Sequence, residues 1–152
     1  MFNKEYNILN LYYFLKYYKK IDKKYLYETF LDCYQSISYG FEYINTEMFN
    51  YIMQYKKHNE LDILNYLKHL EVVDNNATIE DYVEVFRGQG SKSLDLKKAK
   101  SWTLDFSIAE KFARYNNGDI IFAKVKIKDI IDYIDNGEME LLIDYDNIII
   151  SD

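Results

Sequence analysis

The chain contains no proline, and its 152 residues include one cysteine, Cys33. A single cysteine rules out an intramolecular disulfide and fits a reducing compartment. Long apolar runs are missing too: none approaches the ~20 residues that a membrane-spanning helix needs. The opening segment, MFNKEYNILNLYYFLKYYKK, has neither a clean apolar stretch nor a small-residue cleavage site. No signal peptide is therefore expected, and a cytoplasmic setting is, in the producing cell or a host. Histidine occurs twice, as His58 and His69, far apart and without a Cys/His/Asp cluster, so no metal site is expected. Basic charge is in deficit, with a formal net charge of -6. That argues against nonspecific nucleic-acid binding, which needs a net basic face, and leaves room only for a local patch.

What is present is the composition of a folded protein. Hydrophobic residues make up 49% and charged residues 29%, which argues against disorder over most of the length. A domain of about 150 residues removes roughly 70% of its unfolded surface from water, enough for a real core. Up to about Val73 the pattern is helical. Leu26, Phe30, Cys33 and Ile37 form one apolar stripe; Phe49, Ile52 and Met53 follow a Thr46 cap; Ile63, Leu64, Leu67 and Leu70 make another stripe. Gly40 and the His58-Asn59 region read as breaks. Asn7 to Lys20, crowded with aromatics and ending in lysines, reads either as a helix packed on the domain or as a partner-facing surface.

Asp74 to Thr78 reads as a linker, and the pattern changes after it. Tyr82 to Arg87 is rich in β-formers and stops at Gly88. Ser107 reads as the cap of a helix carrying Ile108, Ala109, Phe112 and Ala113, with Phe112 in the core beside Ala109. Ala123, Val125 and Ile127 alternate with lysines, the mark of a half-buried strand. Glu138 to Ile143 and Asn147 to Ser151 read as a hairpin joined through Asp144-Tyr145-Asp146. The expected fold class is α+β: a helical part over residues 1–75 packed on a compact unit over residues 79–152.

Three elements in the last third carry chemistry. In a strand, Glu138 and Glu140 would point to one face with Cα atoms ~6.6 Å apart. They are either a solvated hairpin face or a catalytic pair, one holding a sugar hydroxyl and the other handling the acceptor. Arg87 precedes Gly88-Gln89-Gly90, and its planar fork suits two-point contact with phosphate, while the glycines would let backbone approach a ligand. RGQG is not a GxGxxG or Walker loop, and a surface arginine beside a turn would look the same. Ser101-Trp102-Thr103 puts two hydroxyls on one side of an extended segment, where a serine could orient a glutamate from a neighbouring strand. Trp102, Phe106 and Phe112 offer a stacking surface for a flat ring, or core. Lys97, Lys98 and Lys100 form a small basic patch.

Taken in order, Arg87, Ser101-Trp102-Thr103 and Glu138-Met139-Glu140 resemble the R-S-E signature of mono-ADP-ribosyltransferases, in the arginine-modifying branch with Glu-x-Glu. SWTLDFSIAEKFA looks like the Ser-x-Ser/Thr strand and following helix of bacterial and phage members. The resemblance covers about residues 82–152, with SWT in place of the common STS and only 14 positions from Arg87 to Ser101. It implies a split β-sheet core that clamps NAD+, bound as substrate with no metal, through Arg87, Gly88, Ser101, Trp102, Thr103 and Phe106. Arg87 would hold phosphate or the adjoining ribose, and Ser101 would orient Glu140. Glu140 would bond the nicotinamide-ribose 2′-hydroxyl, and Glu138 would handle the acceptor. The expected partner is a protein target, with an antitoxin or host protein possible, in a toxin, phage effector or anti-defence setting. The alternatives are a catalytically silent binding protein or inhibitor, an NAD glycohydrolase, and a transferase acting on RNA or DNA.

Overall fold

The computed structural model describes residues 4–36, 41–91, 93 and 95–151. It is mixed α+β, with five α-helices and a six-stranded antiparallel sheet among the described residues. Ile37 and Gly40 lie outside the described residues. The chain divides into two compact units, 1–57 and 58–152. The division therefore falls before the third apolar stripe rather than at the Asp74–Thr78 linker.

The first unit holds α1 (Lys4–Tyr17), α2 (Lys23–Ser36) and α3 (Thr46–Met53). Phe14, Phe30 and Phe49 are buried, and their rings meet in sequence at 6.0 and 6.2 Å between centroids. Such offset and edge contacts add specificity to the apolar burial. The cap of α3 is Asn45, whose side chain accepts from Met48 N–H, and not Thr46. Both residues suit a cap; the carboxamide oxygen of Asn45 is the one that reaches the free amide.

The second unit opens with α4 (Glu60–His69), started by a reciprocal capping box between Asn59 and Asp62. Then come β1 (Tyr82–Gln89), β2 (Ser101–Thr103), α5 (Phe106–Tyr115), β3 (Asp119–Lys126), β4 (Ile130–Ile134), β5 (Glu140–Ile143) and β6 (Ile149–Ile150). The strand order is β4-β5-β2-β1-β3-β6. One face carries Val83, Val85, Trp102, Ala123, Val125, Leu141 and Ile143, which form a core with Ile63, Leu64 and Leu67 of α4.

The register lays the opposite face out in a row. Phe122 pairs with Phe86, Phe86 with Thr103, Thr103 with Glu140, and Glu140 with Ile134. Directly paired residues share a face. α5 packs on this side against β1: a Cβ on Gly88 would collide with the backbone of Ala109, Phe112 and Ala113. The halves β4-β5-β2 and β1-β3-β6 meet in register at one pair, Phe86 with Thr103.

Several expectations need correction. Asn147–Ser151 does not fold back on β5. A 3-10 turn at Tyr145–Asn147 carries the chain away, and β6 pairs with β3 at the far edge. Asp105, not Ser107, caps α5: Asp105 Oδ1 accepts from Ser107 N–H and also from Ser107 Oγ–H. Phe112 is 44% exposed, because the buried stripe of α5 is Ala109 and Ala113, small residues that let the helix lie close to β1. Glu138 is not in a strand; β5 begins at Glu140.

Candidate functional site

Glu140 is the central residue. Thr103 pairs with it across the β2–β5 ladder, and Ser101 pairs with Leu142 two residues along. The pleat therefore puts Ser101 and Glu140 on one face as diagonal neighbours. Ser101 Oγ–H donates to Glu140 Oε2 at 2.7 Å, the oriented serine that the sequence pattern anticipates. Asn136 Nδ2–H donates to Glu140 Oε1 at 3.0 Å, so both carboxylate oxygens are held. Glu140 is only 8% exposed. Burial pushes its carboxyl above the ordinary glutamate value, and the nearby Glu138 adds to the rise. The hydrogen bonds from Ser101 and Asn136, and the charge of Arg87, pull the other way.

Glu138 reaches the site by a different route from the one expected. Ile134 and Glu140 are paired, so residues 135–139 form a five-residue hairpin loop. Gly137 (φ 80°) and Met139 (φ 49°) both take left-handed backbone. The left-handed turn at Met139 breaks the alternation that would have stacked Glu138 beside Glu140 on one strand. Such a conformation in a non-glycine residue costs on the order of 1–3 kcal/mol and persists where neighbours enforce it. The neighbours here are identifiable. Thr103 Oγ–H donates to the Glu138 carbonyl at 2.7 Å, and Leu104 N–H to the Met139 carbonyl. Asn136 Oδ1 accepts from Glu138 N–H. Among the described residues, the Glu138 carboxylate itself forms no hydrogen bond or ion pair, while its backbone is held on both sides.

Arg87 follows the one register pair of the β1–β2 joint. Its Nη1–H donates to the Ser101 carbonyl at 2.8 Å, doing there what a ladder amide does elsewhere in a sheet. Its Nε–H donates to Gln89 Oε1 at 2.9 Å. The guanidinium thus bridges the two halves and fixes the strand that carries Ser101.

The remaining candidates divide. Phe106 is 44% exposed and sits with Phe86 and Phe122 in a ring cluster, 5.6 to 6.0 Å between centroids, on the Glu140 face. Trp102 is 1% exposed inside the core, so it offers no stacking surface, and its Nε1–H is buried without a partner. Thr103 is buried and works on the loop backbone, also accepting from Asp105 N–H. Gly88 gives close approach to α5. Lys100 is committed to Asp144, which leaves Lys97 and Lys98 as the exposed part of the basic patch.

Sequence reasoning missed Asn136. The Asn-Gly pair at 136–137 is a turn signal, and it was the available clue. It also missed the contact of His58 Nδ1 with Asp132 Oδ1 at 2.8 Å. Asp132 lies two residues before Ile134 on β4, and its side chain is fully buried. The His58 ring stacks on Tyr133, which stacks in turn on Tyr66. Among the described residues, no group of three or more His, Cys, Asp or Glu is placed to share a metal ion. No helix there is long and apolar enough to cross a membrane. The chain matches no protein-family model, no curated protein and no solved structure.

Proposed function

We propose that the chain is an NAD-dependent mono-ADP-ribosyltransferase of the R-S-E, Glu-x-Glu type, transferring ADP-ribose to a protein at arginine. The observation that carries this reading is the 2.7 Å hydrogen bond from Ser101 to Glu140, made across two strands. The serine and the last glutamate of the signature, 39 residues apart in sequence, form one unit. Arg87, the first residue of the signature, is tied to the same serine's carbonyl. The single-pair joint between three-stranded halves suits a split-sheet core.

In this reading the N-glycosidic bond of NAD+ breaks, and nicotinamide leaves with the bonding electron pair. The ribose C1′ gains positive charge, and the ionised Glu140 stabilises it while accepting a hydrogen bond from the 2′-hydroxyl. A guanidinium nitrogen of the target bonds to C1′, and the Glu138 carboxylate takes the proton that the nitrogen gives up. An arginine is otherwise always protonated and a poor nucleophile, so this step needs a base. Phe106, with Phe86 and Phe122, gives a flat ring an apolar face to rest on. A toxin, phage effector or anti-defence role is the setting this activity suits.

The test is NAD cleavage and label transfer into bacterial lysate by the purified protein. Glu140→Gln should lose both reactions, by about 100-fold or more. Glu138→Ala should lose transfer and keep some nicotinamide release; intact transfer would remove the arginine assignment. Ser101→Ala should move the acid limb of the rate profile to higher pH, because it deletes a bond that lowers the Glu140 pKa. No NAD turnover under any condition would leave a silent binding protein as the reading.

A further inference from the structure

Charge is divided unevenly along the chain. Residues 1–57 carry eight lysines against six acidic residues, whereas 58–152 carry eleven basic residues against nineteen acidic ones. The helical unit is therefore net positive within an acidic protein, and its positive charge is concentrated. Lys16, Lys19, Lys20, Lys23 and Lys24 fall within nine residues that contain one acid, Asp22. They span the end of α1, the 3-10 turn at Tyr18–Lys20 and the start of α2. All five are exposed, and none forms an ion pair among the described residues. Repulsion among five such ammonium groups is relieved by an anionic partner.

Aromatic rings are interleaved with these lysines. Tyr12, Tyr13, Tyr17 and Tyr25 are exposed by about half. The Lys24 ammonium lies 4.9 Å from the Tyr25 ring centroid, and those of Lys16 and Lys20 lie 5.5 and 5.8 Å from that of Tyr17. Lys19 and Lys23 stand over Tyr51 and Tyr55 at 6.0 and 5.9 Å. Exposed rings with ammonium groups at their margins are the equipment of a single-stranded nucleic-acid surface: bases stack on the rings and phosphates meet the lysines. An acidic protein would use the charges but has no general need for rings. A bilayer would need a contiguous apolar helix face, whereas the exposed ring positions here are tyrosines among lysines.

We propose that the Lys16–Tyr25 corner of the helical unit binds single-stranded nucleic acid by tyrosine stacking and lysine–phosphate contact. The surface is independent of whether the Glu140 site cleaves NAD.

The test is fluorescence anisotropy of the full-length protein with labelled RNA and DNA strands of about 12 nucleotides. Duplex DNA, polyglutamate and anionic phospholipid vesicles serve as comparison arms. Strand binding should weaken with salt at a logarithmic slope of about -3, as expected for four or five neutralised phosphates. Combining Lys16→Gln, Lys19→Gln, Lys20→Gln, Lys23→Gln and Lys24→Gln should flatten that slope and cost at least about tenfold in affinity. Tyr25→Ala should weaken binding about 5- to 100-fold without changing the slope, and it perturbs only an exposed ring. Binding of RNA alone, of DNA alone or of both supports the proposal and identifies the sugar read. No strand binding at about 50 mM salt overturns it, as does binding indifferent to the lysine and tyrosine changes. Tighter capture of polyglutamate or vesicles than of strands also overturns it and assigns the surface to a protein or a membrane.

Discussion

Glu140 shows how one side chain can be held in two opposed ways. Burial disfavours its charge, while Ser101, Asn136 and Arg87 favour it, and burial has the larger effect. Its folded pKa therefore lies above its unfolded value, and the stability consequence has a definite sign. Below the ordinary value of 4.5 both states are protonated, and the contribution of Glu140 to stability is fully present. As pH rises through the folded pKa that contribution is lost, because the unfolded chain has already released the proton. Glutamine cannot ionise. Glu140→Gln should thus gain stability relative to wild type as pH rises from about 4 to about 7, measured by urea unfolding at both. A difference that does not change with pH would mean that Glu140 is not buried as described.

At the scale of elements, two glycines do different jobs. Gly137 has φ 80° with nothing within 4 Å of a built Cβ. Gly137→Ala should cost about 1–2 kcal/mol, from backbone conformation alone. Gly88→Ala, where backbone atoms of α5 occupy the Cβ position, should cost more and loosen α5 from β1. Chemical denaturation of the pair checks the ranking; equal costs would mean that α5 moves aside freely. The same elements show what a reader of the sequence can and cannot see. β1 was legible as a run of β-formers that stops at Gly88, and β3 because Ala123 and Val125 alternate with lysines over one buried face. The Arg87, Ser101 and Glu140 positions were legible as an ordered pattern. β4 was not, because Ile130–Ile134 also places Asp132 at a buried position, and a buried acid gives no strand signal until His58 is known to face it. The β5–β6 hairpin failed because sequence proximity favours a fold-back, while β6 finds its partner in β3 across the sheet. Glu138 was misplaced because nothing local announces left-handed backbone at a methionine.

For the molecule as a whole, residues 58–152 contain a complete hydrophobic cluster running from Ile63 on α4 to Ile143 on β5. Expressed without 1–57, this segment is expected to unfold in one cooperative transition and keep a sheet signature by circular dichroism. A gradual, non-cooperative melt would show that the helical residues are required for its integrity. The joint at Phe86 and Thr103 bears on the order in which the molecule matures. β1, α5 and β3 all precede Ile127 in the chain, whereas Ser101 meets Glu140 only after 38 intervening positions are brought round. A growing chain therefore holds β1, α5 and β3 before it holds a carboxylate beside its serine. Under the proposed transferase reading, competence waits for Glu140, and a nascent chain is inert towards its own cell's nucleotides until that residue is in place.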